Sequence, residues 1–320
     1  MLSPDMLSSE MRSPSLETKP SPNLDAEDFE PAAPVTAEQV QQFRRDGFLV
    51  IENLFSPEQV EKLLQRFDAL YAGEFETGIY PDEWHWNPHL GLPAVAGQMT
   101  GVWRCDRTLA AMVMSEKAGQ IAAMLEGWSG TRLLTDGLWQ KPPSAKETTL
   151  HQDSMYINAH QPVGETTTCW VALSNAFPGA STIEYVPGSH TWPRSNAVAE
   201  FHNKDKSYLS QMEAAAQQAG AKKPEVVQME LSPGSCVFHH GNIWHGSGKN
   251  IRDVVRRSLV IIHVPAESTF QEAGAFIPGG YIAAKYRRHG DDTMDESFFP
   301  IVWQEDGYRT PFLNTEFERL

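Results

Sequence analysis

Cysteine is scarce in this chain: Cys105, Cys169 and Cys236 are the only three among 320 residues. They are too few and too far apart for a disulfide framework or a CxxC zinc site, and read as small thiols in a reducing compartment. No run approaches the roughly 18 apolar residues that a membrane span needs. A charged-then-apolar secretory leader is missing too. Positive charge is the minority, 26 Lys and Arg against 41 Asp and Glu, for a formal −15. Polyanions are held by summed Lys and Arg contacts, so that balance argues against nucleic acid as a partner. These absences predict a soluble cytoplasmic protein with no membrane or nucleic-acid partner, and no feature of the chain specifies an oligomeric state. With 41% hydrophobic and 10% aromatic residues, the chain can fill a core and also line a pocket for a small molecule.

Residues 1–34 are rich in Ser, Pro and acid, and their scattered apolar residues follow no period. Seven acids against two bases put −5 of the −15 there. Such a segment cannot bury enough surface to offset its chain entropy and is expected to be a disordered leader. Its acidity also excludes an Arg-rich transit peptide. Order is expected from residue 35 onward, as a single domain running to 320.

Thr36-Ala-Glu-Gln39 is a capping box that opens a helix closed by Gly47. Phe48–Ile51 reads as a short strand. Ser56-Pro57-Glu58-Gln59 caps a second helix with Val60, Leu63, Leu64 and Phe67 on its buried face. A third helix is predicted from Ser115 to Glu126, ended by Gly127. After it the pattern changes to short strands separated by Gly, Pro and Asn: 131–139, 148–157, 166–173, 182–186, 226–231, 235–240 and 256–264. Helices followed by regularly spaced strands predict an α+β fold with a sandwich or jelly-roll barrel. A polar helical insert near 206–219 interrupts the strands and is read as part of a lid spanning 200–222.

Eleven histidines invite metal readings, and most decline them. Pro88 breaks the spacing of His85 and His89. His239 and His240 are neighbours on one strand and must face opposite ways, so they cannot both chelate one ion. His151-Gln152-Asp153 differs. On a strand, i and i+2 share a face, so an imidazole and a carboxylate converge while Gln152 turns away. One further neutral nitrogen would complete a two-His, one-carboxylate facial triad, which leaves positions open on Fe(II). Downstream lies His240-Gly-Asn-Ile-Trp-His245-Gly-Ser-Gly-Lys-Asn250, then Arg256 at the head of the apolar strand Ser258–Ile262. A buried Arg there is costly unless it holds an anion, and its planar fork suits a carboxylate. Ser258 shares its strand face, whereas Arg257 should point outward.

His151-Gln-Asp153, Trp170-Val-Ala-Leu173, Pro187-Gly-Ser-His190, Pro233-Gly234 and His245-Gly-Ser-Gly-x-Asn250 followed by Arg256 together resemble the phytanoyl-CoA dioxygenase family. Phe43-Arg-Arg-Asp-Gly-Phe48 leading into Phe55-Ser-Pro-Glu-Gln59 resembles that family's opening, so the likeness spans roughly residues 36–270. The resemblance implies a double-stranded β-helix, a cupin-like jelly roll with N-terminal helices packed on it. It implies an Fe(II)- and 2-oxoglutarate-dependent dioxygenase that uses O2 to hydroxylate or otherwise oxidise a small-molecule C–H bond, releasing succinate and CO2. His151, Asp153 and His245 would ligate the iron. Arg256 would pair with the distal carboxylate of 2-oxoglutarate, helped by Ser258 and Trp170, with Gln140 as a further contact. The Pro187–His190 turn is expected to shape the roll without ligating metal. Halogenases of this fold carry Gly or Ala where this chain has Asp153, which favours hydroxylation or another oxidation over halogenation. Substrate contacts are expected from residues 80–86, Trp139, Met155, Tyr156 and the 200–222 insert. The alternatives are a non-catalytic metal-binding β-roll, used as scaffold or sensor, and, within the family, an acyl-CoA hydroxylase. The few basic clusters favour a small polar metabolite over the latter.

Overall fold

The computed structural model describes residues 35–85, 94–155, 157, 160–194, 207, 209–221, 224–271 and 281–316. The leader, Trp86, Tyr156, the Met155 side chain and parts of the 200–222 insert lie outside them.

Local signals place the helices. Thr36 and Ser56 each close a complete capping box, over α1 (Ala37–Asp46) and α2 (Pro57–Tyr71). Gly47 ends α1 in the left-handed region (φ 81°), where a side chain would also collide with the His190 ring. Asp106 caps α3 (Arg107–Val113), a short helix that the sequence reading overlooked, and Ser115 caps α4 (Glu116–Glu126). Later in the chain come α5 (Ser210–Gln218), α6 (Tyr281–Tyr286) and α7 (Pro311–Glu316).

The strands are β1 (Phe48–Ile51), β2 (Glu83–Trp84), β3 (Gly97–Thr100), β4 (Gly130–Lys141), β5 (Thr148–His151), β6 (His160–Gln161) and β7 (Thr167–Ala172), followed by β8 (Ile183–Tyr185), β9 (Val227–Gln228), β10 (Cys236–His240), β11 (His245–Ser247), β12 (Arg256–Pro265), β13 (Thr269–Phe270) and β14 (Ile301–Gln304). The large sheet runs β1-β10-β7-β12-β4-β3-β2, with β14 also on β4; the small one runs β5-β11-β8-β9; β13 pairs β6. All pairings are antiparallel.

Alternation along the large sheet divides its residues between two cores. Leu49, Leu138, Cys169, Val171, Cys236, Phe238, Leu259 and Ile261 face the helices and pack with Phe43, Leu63, Phe67 and Ile121. Trp170, Ala172 and Val237 face the other way and pack with Ile183 and Tyr185 of the small sheet. The two sheets therefore enclose an interior, as the jelly-roll expectation requires. The described helix of the 200–222 insert packs Met212, Ala215 and Ala216 with Leu150, Val186 and Trp244.

Candidate active site

Register identifies the side chains that enter the interior. Across β12 and β4, Arg256 pairs with Lys141, Ser258 with Trp139 and Val260 with Gly137. Across β12, β7 and β10, Val260 pairs with Trp170, which pairs with Val237; Ile262 pairs with Thr168, which pairs with His239. Directly opposed residues share a face. Arg256, Lys141, Ser258, Trp139, Trp170, Thr168 and His239 therefore all project inward beside Val237.

His151 ends β5 and pairs with His245 at the start of β11, so the small sheet presents two imidazoles side by side, ring centroids 4.3 Å apart. Asp153 is not on the strand expected over 148–157. The strand stops at His151, and Asp153 opens a 3-10 turn to Met155. The reversal delivers the carboxylate all the same: its Oδ1 lies 3.6 Å from His151 Nε2 and 3.5 Å from His245 Nε2. Potential ligand atoms of the three residues all fall within 4.8 Å of one another.

The chemistry of these atoms fits a cation. His151 Nδ1 is 2.8 Å from the Thr149 carbonyl and His245 Nδ1 is 3.1 Å from that of Ile243. A carbonyl only accepts, so each Nδ1 carries the proton and each Nε2 turns a lone pair toward Asp153. Two nitrogen lone pairs and a carboxylate oxygen facing each other repel unless a metal ion lies between them. Burial holds the His245 imidazole well below its ordinary range, outweighing the attraction of Asp153, so it stays neutral. Burial alone would raise the Asp153 carboxyl, but the surrounding imidazoles, among which His239 donates to its Oδ2, keep it well below the carboxylate range.

The second half of the site is cationic. Arg256 is 4% exposed; its Nε donates to the Ser181 carbonyl (3.1 Å) and its Nη1 to Ser258 Oγ (2.6 Å). Its guanidinium lies over the Trp170 ring, 5.3 Å from the centroid. Beside it Lys141, 1% exposed, donates to Ser247 Oγ (2.6 Å) and to the Lys146 carbonyl (3.1 Å). All four partners are neutral oxygens. Burial pushes Arg256 down to about 10, and burial together with the Arg256 charge pushes Lys141 well below the ordinary lysine range. Two buried cations side by side form a seat for an anion. Lys141 and Ser247 were missed by the sequence reading. A Lys before Pro142-Pro143 carries no sign of burial, and Ser247 is one small residue in a Gly-Ser-Gly run.

The structure brings together His151, Asp153 and His245, and separately Arg256, Ser258 and Trp170. It does not bring Gln140 to them. Gln140 pairs with Arg257 and Gly97, so it occupies the opposite face, where a Cβ on Gly97 would lie 2.6 Å from Tyr71 and 3.0 Å from Gln140 Cγ. One residue of strand parity separates Gln140, expected as a further 2-oxoglutarate contact, from the face that carries Arg256 and Ser258. Arg257 does point outward as expected, onto Asp68 (2.7 Å) and over Phe67. Tyr80 is 70% exposed and packs against Phe75 on the helical side.

Comparison with known proteins agrees with this geometry. The family model for phytanoyl-CoA dioxygenase matches residues 43–258. An ectoine dioxygenase from Nocardia farcinica is 22% identical over 273 residues, covering 82% of this chain and 88% of the relative. A phytanoyl-CoA dioxygenase domain-containing protein 1 from Danio rerio is 22% identical over 284 residues, covering 73% and 92%. Among solved structures, the non-heme alpha-ketoglutarate-dependent carbocyclase SnoK from nogalamycin biosynthesis shares the fold, with a TM-score of 0.66 at 20% identity over 87% of this chain and 98% of that one. With a match across two thirds of its length, this chain belongs to the phytanoyl-CoA dioxygenase family, a family of Fe(II)- and 2-oxoglutarate-dependent oxygenases.

Proposed function

We propose that His151, Asp153 and His245 hold Fe(II), and that Arg256 and Ser258, with Lys141 and Ser247 beside them, seat the distal carboxylate of 2-oxoglutarate. Residues 35–320 then act as one cytoplasmic oxygenase domain that oxidises a C–H bond of a small molecule and releases succinate and CO2. The observation that carries this reading is the pairing, inside one roll, of three converging ligand atoms with a buried Arg and Lys whose hydrogen bonds, among the described residues, go to neutral oxygens. A bare metal scaffold or sensor has no use for the second feature.

When bound, iron and 2-oxoglutarate supply the oxidising power from O2. The chain supplies position and dryness. The Thr149 and Ile243 carbonyls hold the two imidazoles in the tautomer a metal needs. Arg256, braced by Ser181 and stacked on Trp170, orients the co-substrate from its unreactive end. The apolar floor of Trp170, Ala172, Ile183 and Val237 excludes water. Asp153 supports hydroxylation or another oxidation over halogenation. Trp139, on the inward face beside Ser258, is the described substrate-contact residue best placed for the role. Three free buried thiols suit the cytoplasm, and among the described residues no helix is long and apolar enough to cross a membrane.

The test is anaerobic addition of Fe(II) and 2-oxoglutarate, followed by the weak visible charge-transfer band of the chelate. A band in the parent that is lost in His151→Ala supports the assignment; no band, or the same band in both, overturns it. A metabolite screen scored by succinate release above the uncoupled background then identifies the substrate.

A further inference from the structure

His239 has no role in the sequence reading beyond facing away from His240, yet it lies at the centre of the interior. Its Nε2 is 3.2 Å from Asp153 Oδ2, and Thr168 Oγ1 donates to the same oxygen at 2.7 Å. An ionised carboxylate only accepts, so His239 Nε2 carries a proton. In a neutral ring Nδ1 is then the acceptor, and it lies 2.8 Å from the Tyr185 hydroxyl. Tyr185 is fully buried and stacked on Phe48, with ring centroids 4.7 Å apart and planes within 9°. The chain of donors runs Tyr185 to His239 to Asp153, across two strands and a turn.

The two donors occupy Oδ2 and leave Oδ1 facing His151 and His245. The arrangement also constrains His239 itself. Its ring is 4.4 Å from that of His245, near enough to compete as a ligand if its Nε2 offered a lone pair. The Tyr185 proton on Nδ1 keeps Nε2 protonated and so prevents this.

We propose that the Tyr185–His239 pair is a positioning device that presents Asp153 to the metal through Oδ1 alone and keeps His239 from becoming a ligand. The proposal rests on the reading of His151, Asp153 and His245 as ligands. Outer partners of this kind typically contribute about 10–100-fold in metal affinity.

The experiment is anaerobic calorimetric titration of the full chain with Fe(II) alone, alongside thermal melts. His239→Leu is expected to weaken Fe(II) binding about 10–100-fold. His239→Gln, whose amide can still donate, is expected to recover most of the loss. Tyr185→Phe, which keeps the ring and its stacking, should weaken binding in the same direction and serves if His239→Leu does not fold. Tyr185→Phe with His239→Leu should be no worse than His239→Leu alone, because both changes break one chain. Binding within twofold of the parent in His239→Leu or in Tyr185→Phe overturns the proposal. So does a His239→Gln variant as weak as His239→Leu, or losses that add in the double variant. A parent that binds no Fe(II) overturns the ligand assignment instead.

Discussion

Replacing Arg256 with Met tests the co-substrate seat with a magnitude that the structure sets. Truncating one member of a buried ion pair typically costs about 3–5 kcal/mol, because the other member is left buried and uncompensated. At about 1.4 kcal/mol per decade, 2-oxoglutarate affinity should fall by at least 100-fold. Stability without co-substrate should respond differently. The substitution gives up the bonds to Ser181 and Ser258, but it also removes one of two adjacent buried cations and with it the repulsion that Arg256 exerts on Lys141. These effects oppose each other, so the melting temperature should move by no more than about 4 °C. The assay is a titration of the charge-transfer band with 2-oxoglutarate, together with its KM in succinate release and a thermal melt of the metal-free protein. Arg257→Met is the control: its side chain pairs with Asp68 on the helical face and should leave co-substrate affinity unchanged. An Arg256→Met variant with parental affinity would refute the anchor, and a loss confined to Arg257→Met would refute the assignment of the two faces.

Three further outcomes follow from the same geometry. Gln140→Ala should leave the KM for 2-oxoglutarate unchanged within twofold, since that side chain packs near Tyr71 and Gly97 outside the roll. Burial pushes the Asp136 carboxyl up to about 7 from 3.8, against the N–H groups of Trp103 and Val102 that favour its charge. The folded state then holds a proton that the unfolded state has released. Stability should fall as pH rises from about 4 to about 7, and Asp136→Asn should flatten that slope in melts across the range. Gly234→Ala should cost at least about 2 kcal/mol in denaturant unfolding, because φ is +88° and the new Cβ would sit 2.2 Å from the Phe55 carbonyl oxygen.

Elements built from nearest-neighbour chemistry were legible in the sequence. The Thr36 and Ser56 capping boxes, the Gly47 and Gly127 stops and the β7, β10 and β12 strands need only local propensity, and each lies where the pattern puts it. The short α3 escaped because Asp106 opens a helix of only seven residues, nearly all buried, with no amphipathic period to read. Asp153 reached its place by a route the pattern did not anticipate, a 3-10 turn in place of strand alternation.

What the sequence by itself determined is which residue types are available and in what order: His151, Asp153, His245 and Arg256, on strands able to form a roll. Strand pairing decided which of them meet. β4 is buried on both faces over most of its length, so hydrophobicity could not distinguish inside from outside; the sequence pointed to Gln140, and only register with β12 put its neighbour Lys141 beside Arg256. His239 likewise became meaningful only when β10 lay beside β7 and the turn after β5 brought Asp153 to it, 86 residues away in the chain. Local chemistry can be written into neighbouring residues, but a site assembled across two sheets depends on a register that the sequence encodes only through the whole fold.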